Sequence, residues 1–281
     1  MSFRRLSILG IGLLGASLAR AVRKTSSDCR IVGYAHRQST LDAAIAQGVV
    51  DEGYADAAQA VRDADVVVMC TPVGAFEDLL RTIGPVLAES TVVTDVGSTK
   101  RSVCKLAEGL RFPNQFIGSH PMAGSEKRGL DHADADLYRG ALCILTPSTT
   151  TNPAAVETAE SLWKLVGMRT TRMTADDHDA RVALASHLPH AIAAALMTLQ
   201  TPDTLTVAGK GLADTTRIAA GDAAVWRDIF LDNADNLLSG LTAMERRIAE
   251  LKTMLERGDG ASVHQWLTDA AETRGKFGTR R

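Results

Sequence analysis

The sequence predicts an α/β fold in two parts, a doubly wound sheet followed by an all-helical half. Three observations carry this. Short apolar runs alternate with segments of helical period up to about residue 170. Gly10, Gly12 and Gly15 sit in "ILGIGLLGASLA" between the first apolar run and the first helical segment. No strand candidate follows "MRTTRM" at 168–173.

In chain order, "RLSILG" reads as a short strand ending on glycine, and "LLGASLARAVRK" as the helix after it. "RIVGYAHR" is a second strand, followed by the helical "STLDAAIAQG" with Ser39 or Thr40 as N-cap. "ADVVVMCTP" is a continuous apolar run of the kind buried on both faces of a parallel sheet. "STVVTDVGS", "QFIGSHPMAG" and "ALCILTP" add three further strands. Strand, glycine turn and helix in that order make G-x-G-x-x-G a phosphate-binding turn, with a pyrophosphate on the helix N-terminus. Residues 1–170 are therefore expected to form a Rossmann-like dinucleotide-binding domain, and residues 171–281 a helical domain for substrate and dimerisation. In the latter, "TADDHDARVALASHLPHAIAAALMTL" is a long helical stretch interrupted at Pro189. "AAVWRDIFLDNADNLLSGLTAMERRIAELKTMLERG" keeps apolar residues at helical spacing over about nine turns. A helix that long in a small helical domain calls for a partner surface, so a homodimer is expected. Only the tail "TRGKFGTRR" reads as loose.

Composition narrows the function. The chain has 281 residues, 45% hydrophobic and 23% charged, and 31 basic against 33 acidic residues leave a net charge of −2. That balance offers no electrostatic face for nucleic acid or for a membrane surface. No apolar run is long enough for a membrane span, and "MSFRRLSILG" lacks the apolar core of a signal peptide. Cys29, Cys70, Cys104 and Cys143 form no C-x-x-C pair and read as thiols in a reducing compartment, so a cytoplasmic protein is expected.

Candidate chemistry gathers at predicted strand ends. After the second strand stand Ala35, His36 and Arg37, two potential cations where an NAD-selective fold usually places Asp or Glu. This favours NADP, with NAD held through backbone groups as the alternative. His120, in "GSHPMAGSEKRG", ends a strand and is suited to accept a hydroxyl proton as hydride leaves the substrate. The alternative is a histidine held by backbone at a turn. Ser98 and Thr99 in "TDVGSTK" end another strand and offer hydroxyls. In the helical half, His187 and His190 lie three apart in "SHLPH", without a third residue to make a metal site. "DDHD" does not supply one, and Thr174 with Asp177 reads more simply as a capping box, so no metal is expected. Asp214 and Arg217 stand at i, i+3, where the carboxylate can orient the guanidinium for a bidentate grip on a substrate carboxylate. A surface ion pair is the plainer possibility.

Seven stretches in order, "LGIGLLGASLA", "CTPV", "VTDVGSTK", "GSHPMAGSEKRG", "LYRGALCILTP", "DHDARVALASHLPHA" and "DTTRIAAGDAAVWRDIFLDN", resemble the prephenate/arogenate dehydrogenase family of tyrosine biosynthesis. The resemblance spans nearly the whole chain and implies an NAD(P)-dependent oxidative decarboxylation. It implies that His120 accepts or polarises the hydroxyl proton, with Ser98 completing its hydrogen bonding. Arg217, oriented by Asp214, would bind a substrate carboxylate, with His187 and His190 lining the pocket. Glu126 would help gate the site, and Trp226 would come from the partner subunit. The cofactor would meet Gly10, Gly12, Leu13, Leu14, Gly15, Thr71 and Pro72, with His36 and Arg37 at the ribose. His190 where a side-chain carboxylate reader would stand leans towards prephenate over arogenate. With the sequence ending at Arg281 after its helices, the regulatory domain that many members append is not expected. A 3-hydroxyacyl-CoA-type dehydrogenase would also place a histidine after the sheet, but it leaves "DTTRIAAGD" and the paired histidines unexplained. A non-catalytic dinucleotide sensor gives no reason for His120 and Arg217 to coexist.

Overall fold

The computed structural model describes residues 3–26, 28–124 and 127–278. Eight strands form one sheet: β1 (Arg5–Leu9), β2 (Arg30–Tyr34), β3 (Glu52–Tyr54), β4 (Val66–Met69), β5 (Val92–Asp95), β6 (Phe116–Pro121), β7 (Leu142–Thr146) and β8 (Arg169–Arg172). Their order is 3-2-1-4-5-6-7-8, parallel throughout except between β6 and β7. The order reverses at β1, the switch point where this architecture opens a crevice. Leu9 pairs with both Tyr34 and Met69, and Met69 with Asp95, so the carboxyl ends of four strands form one rim.

The period of two divides the strand residues between two cores. Val66 and Val68 pack on one face with Leu18, Val22 and Trp163, while Val67 and Met69 pack on the other with Phe76, Leu80, Ile83 and Val103. The first set comes from helices α1 (Leu13–Thr25) and α6 (Pro153–Leu165), lying in chain order around α2 (Gln38–Ala46), α3 (Ala57–Ala60), α4 (Phe76–Ile83) and α5 (Arg101–Ala107). After β8 come α7 (Ala175–Val182), a π-helical turn at Ala183–His187, α8 (Leu188–Thr198), α9 (Pro202–Thr206), α10 (Lys210–Thr216) and α11 (Ala223–Asp232). All of these belong to one compact unit that runs to Asn233. A second unit begins at Ala234 and holds α12 (Ala234–Glu256) and α13 (Gly260–Gly278).

Four expectations change. β3 has only three residues, too short for an apolar run to announce it. α2 starts at Gln38 with Arg37 as its N-cap, so Ser39 and Thr40 lie inside its first turn. The nine-turn helix breaks at Asn233, whose φ of −117° and ψ of 34° leave the helical region. Asn233 is fully buried, and its side-chain amide donates 2.8 Å to the Asp179 carbonyl and lies 3.2 Å from His187 Nδ1. Those bonds satisfy the polar side chain in its buried position. The tail is not loose up to Gly278, because α13 runs that far. No helix of the described residues is long and apolar enough to cross a membrane.

Candidate active site

A cleft of about 670 Å³ opens at the carboxyl rim of the sheet and is closed on its other side by residues of α8, α11 and the 217–222 turn. The glycine turn forms one end. Gly10 has φ of +111°, and a Cβ there would stand 2.8 Å from the Cys70 carbonyl carbon and the Thr71 nitrogen. A Cβ on Gly15 would stand 2.1 Å from the Gly10 carbonyl oxygen, so the helix can approach the strand only through glycine. At Gly12 the space is open, and α1 begins there with no side-chain cap and no acidic residue in its first turn. Gly12, Leu13, Leu14, Thr71 and Pro72 line the cleft. Thr71 Oγ1 is buried without a hydrogen-bond partner among the described residues. Free helix N–H groups, a dipole and an unpartnered hydroxyl suit a dinucleotide pyrophosphate. His36 and Arg37 are exposed at the end of β2, where the Tyr34 hydroxyl lies 3.0 Å from His36 Nδ1.

His120 leaves the last turn of β6 into this cleft, 7% exposed. Its Nδ1 lies 2.9 Å from Nε2 of His178, and Nδ1 of His178 lies 2.7 Å from Oδ1 of Asp179. The Asp179 carboxylate also accepts the N–H groups of Lys100 at 2.8 Å and Arg101 at 2.9 Å. Burial holds the His120 ring well below the ordinary histidine range, helped by His178, Lys100 and His187 nearby. Burial also lowers His178, against the pull of Asp179. For Asp179 burial pushes the other way, but bonds from His178 and from the Arg101 and Lys100 N–H groups hold it below the usual carboxylate range. Both histidines are therefore neutral and Asp179 ionised at pH 7.

Ser98 lines the same cleft, half-buried. No hydrogen bond joins it to His120, whose Nδ1 partner is His178 instead. The expected completion of His120 by Ser98 is corrected in this respect. Below both residues lies a buried ion pair of Lys100 and Asp95, each inaccessible to solvent. Asp95 accepts the N–H groups of Ser119 at 2.9 Å and Gly97 at 2.7 Å, and Lys100 Nζ donates 2.9 Å to the Ser119 carbonyl. Trp163 Nε1 donates to Ser119 Oγ at 3.1 Å. This network ties the β5 turn that carries Ser98 to the strand that carries His120.

On the helical side His190 lines the cleft and stacks on Trp226 with ring centroids 3.4 Å apart. Trp226 was expected from a partner subunit; within the single chain Trp226 of α11 lines the cleft and stacks on His190 of α8. His187 is fully buried beneath it in the π-helical turn, and burial lowers its pKa to about 4. It stands below the cleft rather than on its wall. Arg217 reaches the cleft, but Asp214 is exposed and does not line it. Thr216, with φ of −105° and ψ of 3°, ends α10 between them, so the helical i, i+3 line is not continuous. Thr174 caps α7 by accepting the Asp177 N–H at 3.0 Å. Glu126 lies outside the described residues. The cleft and relay residues missed from sequence include His178, Asp179, Ser186 and Gly221, and the charged Lys127, Arg128, Asp222 and Asp228. His178 and Val182 share an i, i+4 line on a buried helix face, a signal that could have marked that histidine as inward.

Residues 18–172 match the nucleotide-binding domain of prephenate dehydrogenase, and residues 174–269 its dimerization domain. The chain is 34% identical over 281 aligned residues to cyclohexadienyl dehydrogenase of Zymomonas mobilis, covering 97% of this chain and 95% of that one. It is similar to a solved prephenate dehydrogenase from A. aeolicus in complex with hydroxyphenyl propionate and NAD+, with a TM-score of 0.92, 30% identity and 99% of each chain covered. It is also similar to Synechocystis arogenate dehydrogenase, with a TM-score of 0.84, 29% identity and coverage of 97% and 99%.

Proposed function

The chain belongs to the prephenate dehydrogenase family, and from that premise we propose that it converts prephenate to 4-hydroxyphenylpyruvate and CO₂ in tyrosine biosynthesis, with NADP⁺ as hydride acceptor. The observation that carries the reading is His120, a neutral buried imidazole facing a cleft that begins at an uncapped glycine turn. The bound nicotinamide supplies the acceptor for the hydride leaving C4 of the ring. His120 takes the 4-hydroxyl proton as the C4 oxygen becomes a carbonyl. Loss of the ring carboxylate as CO₂ then sends an electron pair into the ring, and the resulting phenolate recovers its proton from His120. Ser98, on the facing strand end, orients the same hydroxyl. Arg217, with Lys127 and Arg128 on the same cleft, brings positive charge to a substrate with two carboxylates. His190, held flat by Trp226, closes the wall against which the ring lies. His187 supports that wall from beneath.

The 2′-phosphate of NADP would be read by His36 and Arg37, since no carboxylate ends β2 to bind a free 2′-hydroxyl. We place the boundary between nucleotide-binding and helical domains near residue 170, and the partner in a homodimer on the helical side, in line with the dimerization domain matched there. The four free thiols fit a cytoplasmic enzyme. A second reading, arogenate as substrate, rests on the similarity to an arogenate dehydrogenase; the cleft carboxylates Asp222 and Asp228 are already paired with Arg128 and Arg227. Absorbance at the reduced-nicotinamide band, with purified protein, NADP⁺ and either prephenate or arogenate, separates the readings. A rise with prephenate is expected, a rise with arogenate alone selects the second reading, and silence with both and with NAD⁺ removes the dehydrogenase assignment.

A further inference from the structure

We propose that His178 and Asp179 are positioning residues that fix the ring tautomer of His120 and balance the charge formed when His120 accepts the substrate's hydroxyl proton. The inference rests on the dehydrogenase reading above and adds two residues to its machinery.

The tautomers follow from the partners. A carboxylate can only accept, so Nδ1 of His178, 2.7 Å from Asp179 Oδ1, carries a hydrogen. A neutral His178 then has a lone pair on Nε2. That nitrogen lies 2.9 Å from Nδ1 of His120, which must be the donor. Nε2 of His120 is left with its lone pair, the nitrogen free to act as base towards the cleft. With the opposite tautomer at any link, two N–H groups or two lone pairs would face each other in a buried site.

Charge balance follows from the same chain. As the substrate O–H bond breaks, its proton joins Nε2 of His120 and the ring becomes a cation in a nearly buried site. Alone, that cation would face Lys100 from the β5 turn, which opposes it, and neutral His187 from the π-helical turn. The Arg101 guanidinium of α5 lies 3.4 Å from Asp179 Oδ2 and shares that carboxylate. Asp95 is already committed to Lys100. Asp179 is the ionised acceptor at the end of the relay, held in place by the Lys100 and Arg101 N–H groups. Cation, neutral ring and anion then alternate, and the proton on Nδ1 of His120 can shift towards His178 without any atom moving far. When the phenolate forms, Nε2 returns its proton and the relay goes back to its starting state, so no net proton is lost. Burial that would make His120 a weak base is thus offset as the proton arrives.

The test reads ring nitrogens directly. Long-range ¹H–¹⁵N correlation of histidine-labelled full-length protein should show His120 and His178 both in the Nδ1–H form at pH 7. An Nε2–H form for His120 overturns the proposal. In kinetics, His178→Phe should lower kcat on the order of 10²-fold while KM stays within about twofold, the size of a positioned proton acceptor. His178→Gln, whose carbonyl can still accept from Nδ1, should recover part of that loss. The acid limb of the kcat/KM profile should move to lower pH in His178→Phe, because an unbalanced imidazolium is harder to form. A structural role alone would reduce folded protein without moving the limb, and wild-type kcat with an unmoved limb overturns the relay. If His178→Phe fails to fold, the wild-type tautomers and His178→Gln decide the matter. Turnover with His120 as Nε2–H defeats the relay alone. The Nδ1–H form in a protein that turns over neither substrate defeats the dehydrogenase reading and the relay's role with it.

Discussion

His190 lies flat on Trp226, with ring centroids 3.4 Å and planes 16° apart, and Gly221 is the residue that lets them meet. A Cβ on Gly221 would stand 2.6 Å from Trp226 Nε1 and 2.9 Å from His190 Cε1. The turn at 221 therefore comes close enough to lock the stack edge-on. Phe230 completes the group, 5.7 Å from Trp226 and close to edge-on. Such aromatic groups hold their faces at fixed angles, which makes this wall a rigid surface for a planar ring.

Gly221→Ala should displace the stack and raise the substrate KM by about tenfold, the effect of about 1.4 kcal/mol of overpacking. Cofactor affinity should be unchanged, because the glycine turn at 10–15 is at the other end of the cleft. Initial rates against prephenate, with NADP⁺ binding followed by fluorescence, check this. An unchanged KM would show that the wall yields freely.

Arg37→Ala, alone or with His36→Ala, should raise the KM for NADP⁺ by about tenfold or more and leave that for NAD⁺ near its starting value. A charge-assisted bond to phosphate contributes about 1.5–3 kcal/mol and is absent when the 2′-position is a hydroxyl. Parallel KM measurements with the two cofactors decide it. Equal effects on both would remove these residues from 2′-phosphate recognition.

Lys100→Met should destabilise the fold by about 3–5 kcal/mol, because it leaves the Asp95 carboxylate buried without its cation. Asp95→Asn added to Lys100→Met should recover part of that loss, since no charge then remains. Urea midpoints at pH 7 measure both. A loss under about 1 kcal/mol for the single variant would mean that the Ser119 and Gly97 N–H groups suffice to hold Asp95.

The buried histidines set a pH dependence of stability. His120, His178 and His187 all have folded pKa values below the ordinary histidine value, that of His187 falling to about 4. The unfolded chain therefore binds more protons than the folded one in this range, and stability is lost as pH falls from about 6.5 towards 4. Above about 6.5 the contribution is complete. Thermal midpoints between pH 4 and 8 should fall below 6.5, and His187→Asn should flatten part of that fall. A midpoint that is flat down to pH 4 would contradict neutral burial of all three.

What could be read from sequence followed the physics of each signal. Six of the eight strands announced themselves as apolar runs, and the glycine turn by a spacing that only one backbone path explains. Glu52–Tyr54 is a three-residue strand at the sheet edge, too short and too polar for a pattern. "MRTTRM" holds β8, and no strand follows it among the described residues. The break at Asn233 was invisible because the apolar period continues through it, and what accompanies it is a set of tertiary hydrogen bonds to Asp179 and His187. His120 and His190 were legible as cleft residues because strand ends and the "SHLPH" segment gave them a place. His178 was not, because its partner is 58 positions away and only the folding of α7 against β6 brings them together. Asp214 misled for the converse reason. The i, i+3 spacing assumed a helix that ends at Thr216.

The most direct measurement is the kinetics of His120→Asn, which keeps a polar side chain at the end of β6 and removes the ring base. With prephenate and NADP⁺, kcat should fall by about 10²–10⁴-fold while KM for both substrates stays near the wild-type value. Near-normal turnover by His120→Asn would contradict His120 as the proton acceptor and, with it, the reading of the cleft.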